Sequence, residues 1–383
     1  MTYAIIAVGY NRIAEMQRLL KSLCNAKLGS IQADLVISLD YSDKQGELKK
    51  ISKQVDWKYG SKVIRAFPER QGLRNHILQC GDLTEKYDAV IVLEDDLVVA
   101  EGFMQYVSAA VEAYEDNDEI AGISLYTHQT NPGNGRFFEA QFNGYDAFLM
   151  QYAQSWGQCW TRKMWHGFKE WYELQDEELT ADEKFPDYVA SWNKQSWLKY
   201  YTKYTVKKGK YHVYPYHSLT TNGSGIGEHN DVVNTSYQVS LQFGICENYR
   251  FPSVEQAVKY DAFFERIFDK DLWGGEYGCV LYDLYGLRSH YGDSDTIIST
   301  RDLPYEIIRR IGLKYRPYEQ NMLISEDGEG IYVYNLHKPA SLHKVNEKRN
   351  VSNYEFRAQS TKLVISHGAE KIKQALDRRL KRR

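Results

Sequence analysis

The chain has 383 residues, of which 43% are hydrophobic and 26% are charged, and its formal net charge is −3. This length allows two domains, or one large domain with an appendage, and the composition is ordinary for a soluble globular protein. The near-neutral charge gives no reason to expect nucleic acid as a partner. The 31 tyrosines and eight tryptophans supply aromatic faces that stack on bases or sugar rings, although most such rings pack in a core.

The cysteines and the N-terminal residues indicate the compartment. The five cysteines are far apart and form no CxxC pair, which argues against a zinc site or a disulfide framework and fits a reducing compartment. The opening "MTYAIIAVGYNR" has no positively charged segment before its short apolar run, so it predicts a first strand and not a signal peptide. No apolar stretch approaches the roughly 20 residues that span a bilayer. We therefore expect a cytoplasmic protein.

The first 125 residues alternate between strand-like and helix-like segments. Asn11 is placed to cap the first helical segment, since asparagine is a preferred N-cap residue. Strands that alternate with helices indicate βαβ units, so the predicted fold class is α/β, with a mainly parallel sheet flanked by helices. The four apolar runs predicted to be strands are 3–8, 34–40, 61–67 and 89–93.

Four carboxylates fall at the ends of these predicted strands. Glu94, Asp95 and Asp96 directly follow the fourth strand, and Asp40 ends the second. In open α/β sheets, ligands bind outside the carboxyl ends of the strands. Adjacent like charges repel, and a divalent cation that bridges two phosphates needs only one or two protein carboxylates. The pattern favours a metal site over an acidic turn whose charges are solvated or cap the next helix.

Residues 126–235 are richer in glycine, asparagine and aromatic residues. "NPGNG" at 131–135 predicts a turn. Trp156 and Trp160 either stack on sugar faces or belong to the core. The loop "HSLTTNGSGIGEHND" is polar and Gly-rich, but its glycines miss the G-x-G-x-x-G spacing, so they do not support a dinucleotide fold. We expect them to give hinge freedom to a lid that closes over a substrate.

Residues 236–383 are expected to form an accessory region. "LPYEIIRRIGLKYRP" predicts a helix that ends near Pro317, and "GIYVYNL" predicts a strand. The C-terminal "AEKIKQALDRRLKRR" places Ile372, Leu376 and Leu380 four residues apart among basic residues, which predicts a basic helix. That helix is either solvated, or it rests on an anionic surface at the inner face of the cytoplasmic membrane.

The segment "AVIVLEDDLVVAEGFMQY" resembles the acidic motif of GT-A-fold glycosyltransferases, in the "EDD" form found in N-acetylglucosaminyltransferase I and related bacterial polysaccharide transferases. Other segments are similar to that family in matching order. "AIIAVGYNR" resembles the strand and turn that open the nucleotide pocket, and "VISLD" the strand with an acidic residue near the base or ribose. "ERQGLRNHI" resembles the N-x-G-L segment beside the nucleotide. "SWGQCWTRKMW" is similar to the Gly-Trp segment under the donor sugar, and "YPYHSLTTNGSGIGEHN" to the loop over the sugar nucleotide.

The resemblance covers roughly residues 1–235 and implies a division of the chain. Residues 1–125 would be the nucleotide-sugar-binding half of a GT-A domain, 126–235 its acceptor and lid half, and 236–383 an accessory region with a basic terminal helix.

The resemblance also implies roles for the carboxylates. Asp96 would bind a Mn²⁺ or Mg²⁺ ion that bridges the donor's diphosphate, and the metal would stabilise the charge that develops on the leaving phosphate oxygen. Asp95 and Glu94 would hold the ribose and orient the metal's ligands, and Asp40 would contact the base or the ribose.

Five further positions match nucleotide-sugar contacts of the family. Arg70 or Arg74 would neutralise the diphosphate, unless either is a surface arginine. Trp156 and Gly157 would lie under the donor sugar. His229, in the Gly-rich loop, would be a late-arriving metal ligand or a phosphate contact, unless it is simply an exposed histidine.

The general base is the point at which this sequence departs from the family. An inverting transfer needs a base for the acceptor hydroxyl, and the related enzymes carry an aspartate after the Gly-Trp segment. Here "VASWNKQSW" has Asn193 at the equivalent place, and an asparagine cannot take a proton. The nearest replacement is Asp187, with Glu183 and Asp182 before it, so Asp187 is the expected catalytic base.

Together these segments imply a metal-dependent glycosyltransferase of the hexosyl or N-acetylhexosaminyl class. It would move a sugar from a nucleotide diphosphate sugar, UDP-linked, to a saccharide or lipid-linked acceptor in surface polysaccharide synthesis, with inversion. A sugar nucleotidyltransferase is a second hypothesis. Enzymes of that class carry a Gly-rich loop with a basic residue after the first strand, where this chain has "GYNRIAEM" with one glycine. A non-catalytic carbohydrate-binding or scaffold protein is the third, supported by Asn193.

Overall fold

The computed structural model describes residues 1–175, 179–223, 236–268, 272 and 275–381. The chain forms two compact units, of which the first comprises residues 1–269 with 287–292 and the second comprises 270–286 with 293–383. The boundary therefore differs from the one drawn at residue 235 from the sequence, because the chain continues in the sheet of the first unit beyond that point.

Four parallel strands form the N-terminal part of the first unit, in the order β3-β2-β1-β4. The predicted strands are thus confirmed, with ends shifted by at most one residue. The strands are β1 (Tyr3–Gly9), β2 (Ala33–Leu39), β3 (Lys62–Ala66) and β4 (Ala89–Glu94), and the helices between them are α1 (Ile13–Asn25), α2 (Gln45–Lys53) and α3 (Gly72–Gly81), the last followed by a short 3₁₀ helix, Asp82–Glu85.

The rest of the first unit extends this sheet on the β4 side. Its elements are β5 (Leu97–Val99), α4 (Phe103–Tyr114), β6 (Ile120–Ser124), β7 (Ala147–Met150), β8 (Gln158–Thr161), α5 (Arg162–Glu173), α6 (Asp187–Ala190), α7 (Trp197–Lys207), β9 (Tyr211–Pro215), β10 (Thr220–Asn222), β11 (Lys259–Tyr260) and β12 (Arg266–Ile267). The ten-stranded order is β12-β11-β7-β9-β6-β8-β4-β1-β2-β3. Strand β8 is antiparallel to both β4 and β6, so these two run in the same direction, and further antiparallel pairs are β7 with β9 and β11 with β12. The fold is α/β with a large, mostly parallel sheet flanked by helices, as predicted.

Strand β1 explains why polar residues collect at one edge of this sheet. Its seven residues are all buried. Ile5 packs in the core on one face of the sheet and Ile6 in the core on the other, as expected for a parallel strand covered by helices on both sides. Polar residues therefore follow the carboxyl end of β1, where the core stops.

Two local predictions are wrong. The N-cap of α1 is Arg12, not Asn11, and it makes no side-chain capping bond. The segment predicted to be a helix ending near Pro317 instead forms the strand β15 (Tyr305–Gly312). Its β-branched residues favour extended backbone, and a long antiparallel partner at residues 330–339 satisfies its backbone hydrogen bonds.

The second unit contains a four-stranded sheet in the order β13-β14-β16-β15. The strand predicted from "GIYVYNL" is confirmed as β16. The elements other than β15 are β13 (Val280–Asp283), β14 (Thr296–Ser299), α8 (Gln320–Ile324), β16 (Gly330–Pro339), α9 (Glu347–Phe356) and α10 (Thr361–Lys381).

The C-terminal helix is present as predicted, and Ile372 and Leu376 on it are exposed, at 65% and 54%. In the part of the chain that the structure describes, none of the helices combines the length and the apolarity needed to cross a membrane.

A buried histidine makes the fold sensitive to acid. His212 on β9 is buried, its Nε2 lies 3.1 Å from Thr205 Oγ1, and burial lowers its pKa to about 3. The pKa of His212 is lower in the folded state than in the unfolded state, so the unfolded chain takes up a proton here first as the pH falls. The free energy of unfolding is therefore highest above the unfolded pKa of about 6.5 and decreases as the pH falls towards the folded value.

We therefore expect His212→Phe to flatten the acid side of the stability profile. Between pH 6 and pH 5, the free energy of unfolding of the wild type should fall by about 1 kcal/mol more than that of the variant. Urea unfolding at several pH values measures this difference, and the same substitution at the exposed His217 controls for the added ring. Parallel profiles for the wild type and His212→Phe would contradict the prediction.

Candidate functional site

The carboxyl ends of β1, β2 and β4 surround a cavity of about 150 Å³. Of the site residues predicted from the sequence, five line it together, namely Asp40, Arg70, Glu94, Asp95 and Asp96. The register of the parallel strands explains why these side chains lie together, because Val8 on β1 lies opposite both Ser38 on β2 and Glu94 on β4. The residues after these three strands therefore emerge at one edge. The remaining lining residues are Val8, Gly9, Tyr10, Asn11, Arg12, Gly72, Leu73 and His76.

One guanidinium group bridges two of the three consecutive carboxylates. Arg12 lies at the turn between β1 and α1. It donates through Nη2 to Asp95 Oδ1 and through Nη1 to Asp96 Oδ2, the latter at 3.4 Å. The Asp95 side chain is only 5% exposed, so its charge needs a close partner. Arg12 thus fixes the direction of both aspartates.

Asp96 retains one oxygen with no partner. Its Oδ1 is buried and makes no hydrogen bond with any residue that the structure describes. A buried carboxylate oxygen without a donor is costly unless a cation or a ligand satisfies it. The oxygen fits a hard divalent cation, which takes oxygen ligands.

The protein alone offers a cation few ligands at this edge. Within the described ranges, no group of three or more His, Cys, Asp or Glu side chains is arranged to hold a metal. Of the described residues, Asp96 is therefore the one with an oxygen open to a cation here, and oxygens of a phosphate ligand would add further ligands, which is how Mg²⁺ commonly binds at substrate phosphates.

The other two carboxylates hold protons more tightly than usual. Burial, followed by the neighbouring charges of Asp96 and Asp95, raises the pKa of Glu94 to about 8. Burial also raises the pKa of Asp95 to about 6, although Arg12 attracts its negative charge. The edge therefore carries more negative charge than its surroundings stabilise, and added positive charge would relieve it.

Asp40 fixes the neighbouring turn. It is buried at 3% exposure, and its carboxylate accepts backbone N–H bonds from Tyr41 at 2.8 Å, Gln71 at 2.7 Å and Gly72 at 3.0 Å. Gly72 has a φ of +73°, a conformation that favours glycine. These bonds hold the turn that presents Arg70 beside the cavity.

The two predicted arginines lie in different places. Arg70 is exposed, and its guanidinium carbon lies 4.8 Å from the centre of the Tyr10 ring. Arg74 is not in the cavity lining. It donates to the Tyr172 hydroxyl at 2.5 Å and to the Lys194 carbonyl at 3.0 Å, so it joins α3 to α5 and to the turn before α7.

Trp156 lines a second cavity of about 240 Å³, and its ring stacks on Tyr237 with centroids 5.0 Å apart. Gln154 fixes this turn, since its Oε1 accepts the Trp156 N–H and its Nε2 donates to the Gly157 carbonyl at 2.8 Å. Gly157 has a φ of +96°, and a Cβ there would lie 2.9 Å from Thr220. Trp160, in contrast, is fully buried in the core.

Strand β10 connects the two cavities. Thr220 Oγ1 donates to the Trp156 carbonyl at 2.6 Å, and the Gly223 N–H donates to the Asp96 carbonyl at 2.6 Å. Between these bonds, β10 pairs antiparallel with β5, which follows Asp96 directly. Three residues of extended chain span roughly 10 Å, so the backbones at Trp156 and Asp96 lie about that far apart.

Asp187 lines neither cavity, although the next residue, Tyr188, lines the second. Asp187 is the first residue of α6, its side chain is 55% exposed, and it accepts a hydrogen bond from Ser289 Oγ. His290 Nε2 is 3.9 Å from its other oxygen. Asn193 is also exposed, and its Oδ1 accepts the Gln195 N–H at 2.9 Å, closing a turn before α7.

The predicted lid falls largely outside the described residues. Residues 224–235 are outside the described ranges. These include Gly225, Gly227 and His229, whereas Gly223 is described.

Sequence reasoning missed three residues that the structure brings to these cavities. Arg12 was visible as the basic residue after the first strand, at the same edge as the carboxylates. His76 lines the first cavity and lies 2.6 Å from Ser38 Oγ. His128 lines the second cavity, and no spacing in the sequence singles it out.

No family model and no curated protein matches the chain. Solved structures with a partly similar arrangement include S. aureus TarS 1–349 in complex with UDP-GlcNAc, at 11% identity over 60% of this chain and 60% of that one, with a TM-score of 0.40. GalNAc-T7 with UDP, GalNAc and Mn²⁺ matches at 11% identity over 56% and 42%, with a TM-score of 0.38. The mannosyltransferase PcManGT from Pyrobaculum calidifontis in complex with GDP-Man and Mn²⁺ matches at 9% identity over 44% and 46%, with a TM-score of 0.29.

In each of these three pairs, less than two thirds of the solved chain is covered. Because the identities and TM-scores are this low, these similarities do not indicate what this chain binds. The fold described above follows from the sheet topology of this chain itself.

The Arg12 bridge predicts a measurable cost of removal. Arg12→Met keeps most of the side-chain length but leaves Asp95 buried without its cation. We expect the free energy of unfolding to fall by about 2 to 3 kcal/mol, near the lower end for a buried ion pair because Arg12 is partly exposed. Chemical denaturation at pH 7.5 measures the loss.

Two further variants make that result specific. Adding Asp95→Asn to Arg12→Met should recover part of the loss, because the orphaned charge is removed. Arg70→Met is the matched control and should cost about 1 kcal/mol or less, since its contact with Tyr10 is exposed. Equal losses for Arg12→Met and Arg70→Met would show that the bridge does not stabilise the edge.

Proposed function

We propose that this chain is a metal-dependent glycosyltransferase that takes a sugar from a nucleotide diphosphate sugar. The observation that carries the proposal is the buried Oδ1 of Asp96, which has no hydrogen-bond partner among the described residues and lies at the strand edge where Glu94, Asp95 and Asp40 also meet. That arrangement suits an anionic ligand that brings its own cation better than it suits an anion alone, because the negative charges of Asp40, Asp95 and Asp96 would repel a bare diphosphate.

Asp96 would hold the Mn²⁺ or Mg²⁺ ion, and the ion when bound would neutralise the diphosphate and the charge on the leaving phosphate oxygen. Arg12 keeps Asp96 and Asp95 in place by its two hydrogen bonds. Asp95 and Glu94 are proposed to face the ribose and the cation's other ligands. His229 is proposed as a further contact to the metal or a phosphate.

The nucleotide is proposed to lie between β1 and β2, and UDP is the proposed carrier. Asp40 supports this indirectly, because it accepts the N–H groups of Gln71 and Gly72 and so fixes the turn before α3. Arg70, exposed and in the cavity lining, is proposed to contact a phosphate. Arg74 would act through the position of α3, since its guanidinium is already bonded to Tyr172 and to the Lys194 carbonyl.

The acceptor is proposed to be a saccharide or a lipid-linked saccharide, with transfer of a hexose or N-acetylhexosamine in surface polysaccharide synthesis. A basic helix with exposed Ile372 and Leu376 is what contact with an anionic membrane surface requires. Asp187 is the proposed general base of an inverting reaction. Its exposure and its bond to Ser289 mean that an acceptor would have to reach it from solvent.

A second candidate is a non-catalytic carbohydrate-binding or scaffold protein with the same fold. It is favoured by one observation, that Asp187 lines neither cavity and Asn193 is used in a turn. Donor hydrolysis separates the two candidates, because even slow hydrolysis of a sugar nucleotide requires a working donor site.

The donor site predicts metal-dependent hydrolysis of a UDP-sugar. The wild type with Mn²⁺ should release UDP slowly in the absence of acceptor, and chelation of the metal should stop the release. Asp96→Asn should lower the rate by about 100-fold or more, as expected for loss of a group that stabilises transition-state charge. Asp88→Asn, at the opposite end of β4, should stay close to the wild type. Release of UDP by the wild type and Asp96→Asn at equal rates would contradict the proposal.

If Asp187 is the general base, its substitution should lower sugar transfer to an acceptor without lowering hydrolysis of the donor. Asp187→Asn should lower sugar transfer to an active saccharide acceptor by about 100-fold or more, the usual contribution of a general base. UDP binding and donor hydrolysis should be unchanged, because Asp187 is outside the first cavity. Asp182→Asn, whose carboxylate is paired with Lys203, is the control. Unchanged transfer by Asp187→Asn would remove it as the base.

A further inference from the structure

The second cavity is walled by aromatic rings. The described residues that line it include no Asp, Glu, Lys or Arg, and its volume of about 240 Å³ lies just below the roughly 300 Å³ at which drug-sized pockets begin. Such a space suits one ring-sized group and not a long chain. Its aromatic lining residues are His128, Tyr152, Trp156, Tyr188, Trp192 and Tyr237.

His128 is a buried polar group of this wall whose ring nitrogens both lack a hydrogen-bond partner among the described residues, and the Tyr188 hydroxyl is another such group. His128 itself is 3% exposed. Aromatic rings surround it, with Tyr152 at 5.5 Å and Trp156 at 5.8 Å between ring centroids. A buried polar group without a partner costs about 1 to 3 kcal/mol, so a ligand that bonds to it recovers that cost.

The imidazole of His128 is neutral at physiological pH, because burial lowers its pKa to about 3. A neutral imidazole has one donor and one acceptor nitrogen. A sugar hydroxyl also donates and accepts, so it complements either nitrogen. A carboxylate accepts only, and no cation in the described lining would offset its burial.

The position of the cavity matches a sugar joined to a diphosphate. Through β10, the Trp156 carbonyl and the Asp96 carbonyl are both tied to a short extended segment, from Thr220 to Gly223. That segment spans roughly 10 Å. A ring attached directly to a diphosphate bound at Asp96 is therefore within reach of the Trp156 ring.

We propose that this aromatic cavity receives the transferred sugar of the donor, that it selects an uncharged pyranose over a sugar acid, and that His128 selects the sugar by bonding one of its hydroxyl or acetamido groups. The inference rests on the proposed glycosyltransferase function and names its donor class. The Trp156 ring packs on the C–H face of the sugar, and His128 supplies the directional bond. His128 is thus a specificity-determining residue and not the base.

The test compares sugar nucleotides with UDP itself, so that it separates the sugar subsite from the nucleotide site. Calorimetric titrations with Mn²⁺ would use UDP, UDP-glucose, UDP-N-acetylglucosamine and UDP-glucuronic acid. At least one uncharged sugar nucleotide should bind the wild type about tenfold more tightly than UDP-glucuronic acid. This comparison needs no variant. Equal or tighter binding of UDP-glucuronic acid would overturn the inference.

His128→Phe tests the residue. It should weaken binding of the preferred sugar nucleotide about tenfold while UDP affinity stays within twofold, which also shows that the variant is folded. His128→Asn, which restores a donor and an acceptor, should recover part of the loss. His212→Phe makes the same change at a buried histidine outside the cavity and should bind like the wild type.

Two negative results are distinguishable. An unchanged ratio of sugar-nucleotide to UDP affinity in His128→Phe overturns the sugar subsite and leaves the proposed function standing. A wild type that binds neither UDP nor any of its sugar conjugates with Mn²⁺ removes the proposed function, and the sugar subsite falls with it.

Discussion

The ion pair of Arg12 with Asp95 and Asp96 is the interaction on which the candidate site depends. The parallel strands are buried on both faces, so the chain can place charge only where they end, and there it places three carboxylates in a row. Arg12 compensates part of that charge and points both aspartates in fixed directions. One Asp96 oxygen remains buried and has no hydrogen-bond partner in the part of the chain that the structure describes. The site is therefore pre-organised and still deficient in positive charge, a combination that favours a cation arriving with a phosphate ligand.

The remaining polar contacts extend this edge towards the aromatic cavity. Asp40 fixes the turn before α3 by accepting the N–H groups of Gln71 and Gly72, and the segment from Thr220 to Gly223 ties the backbone of Asp96 to that of Trp156. Because each of these hydrogen bonds holds a backbone group within one compact unit, they set the spacing between the carboxylates and the Trp156 ring. A charged end and an aromatic end at a fixed separation suit a ligand that has a charged group at one end and an uncharged ring at the other.

The strand edge could be predicted from the sequence because it follows from periodicity. Apolar runs locate parallel strands, and residues directly after such strands must emerge together, which brought Asp40 and Glu94 to one cavity. The Arg12 bridge could not be predicted, since it depends on the path of the turn into α1. His128 carries no local signal, because most of its ring partners, such as Tyr152, Trp156 and Phe264, are distant in sequence. The helix predicted before Pro317 was wrong for a similar reason, since β15 is extended through pairing with β16, which local propensity does not report.

The most direct measurement of the central claim is calorimetric titration of UDP into the wild-type protein, with and without Mn²⁺, repeated for Asp96→Asn. If Asp96 holds the cation that carries the diphosphate, UDP binds the wild type tightly only with Mn²⁺, and Asp96→Asn loses that metal-dependent gain. UDP binding of equal strength with and without Mn²⁺, or a metal-dependent gain that survives Asp96→Asn, would contradict the account.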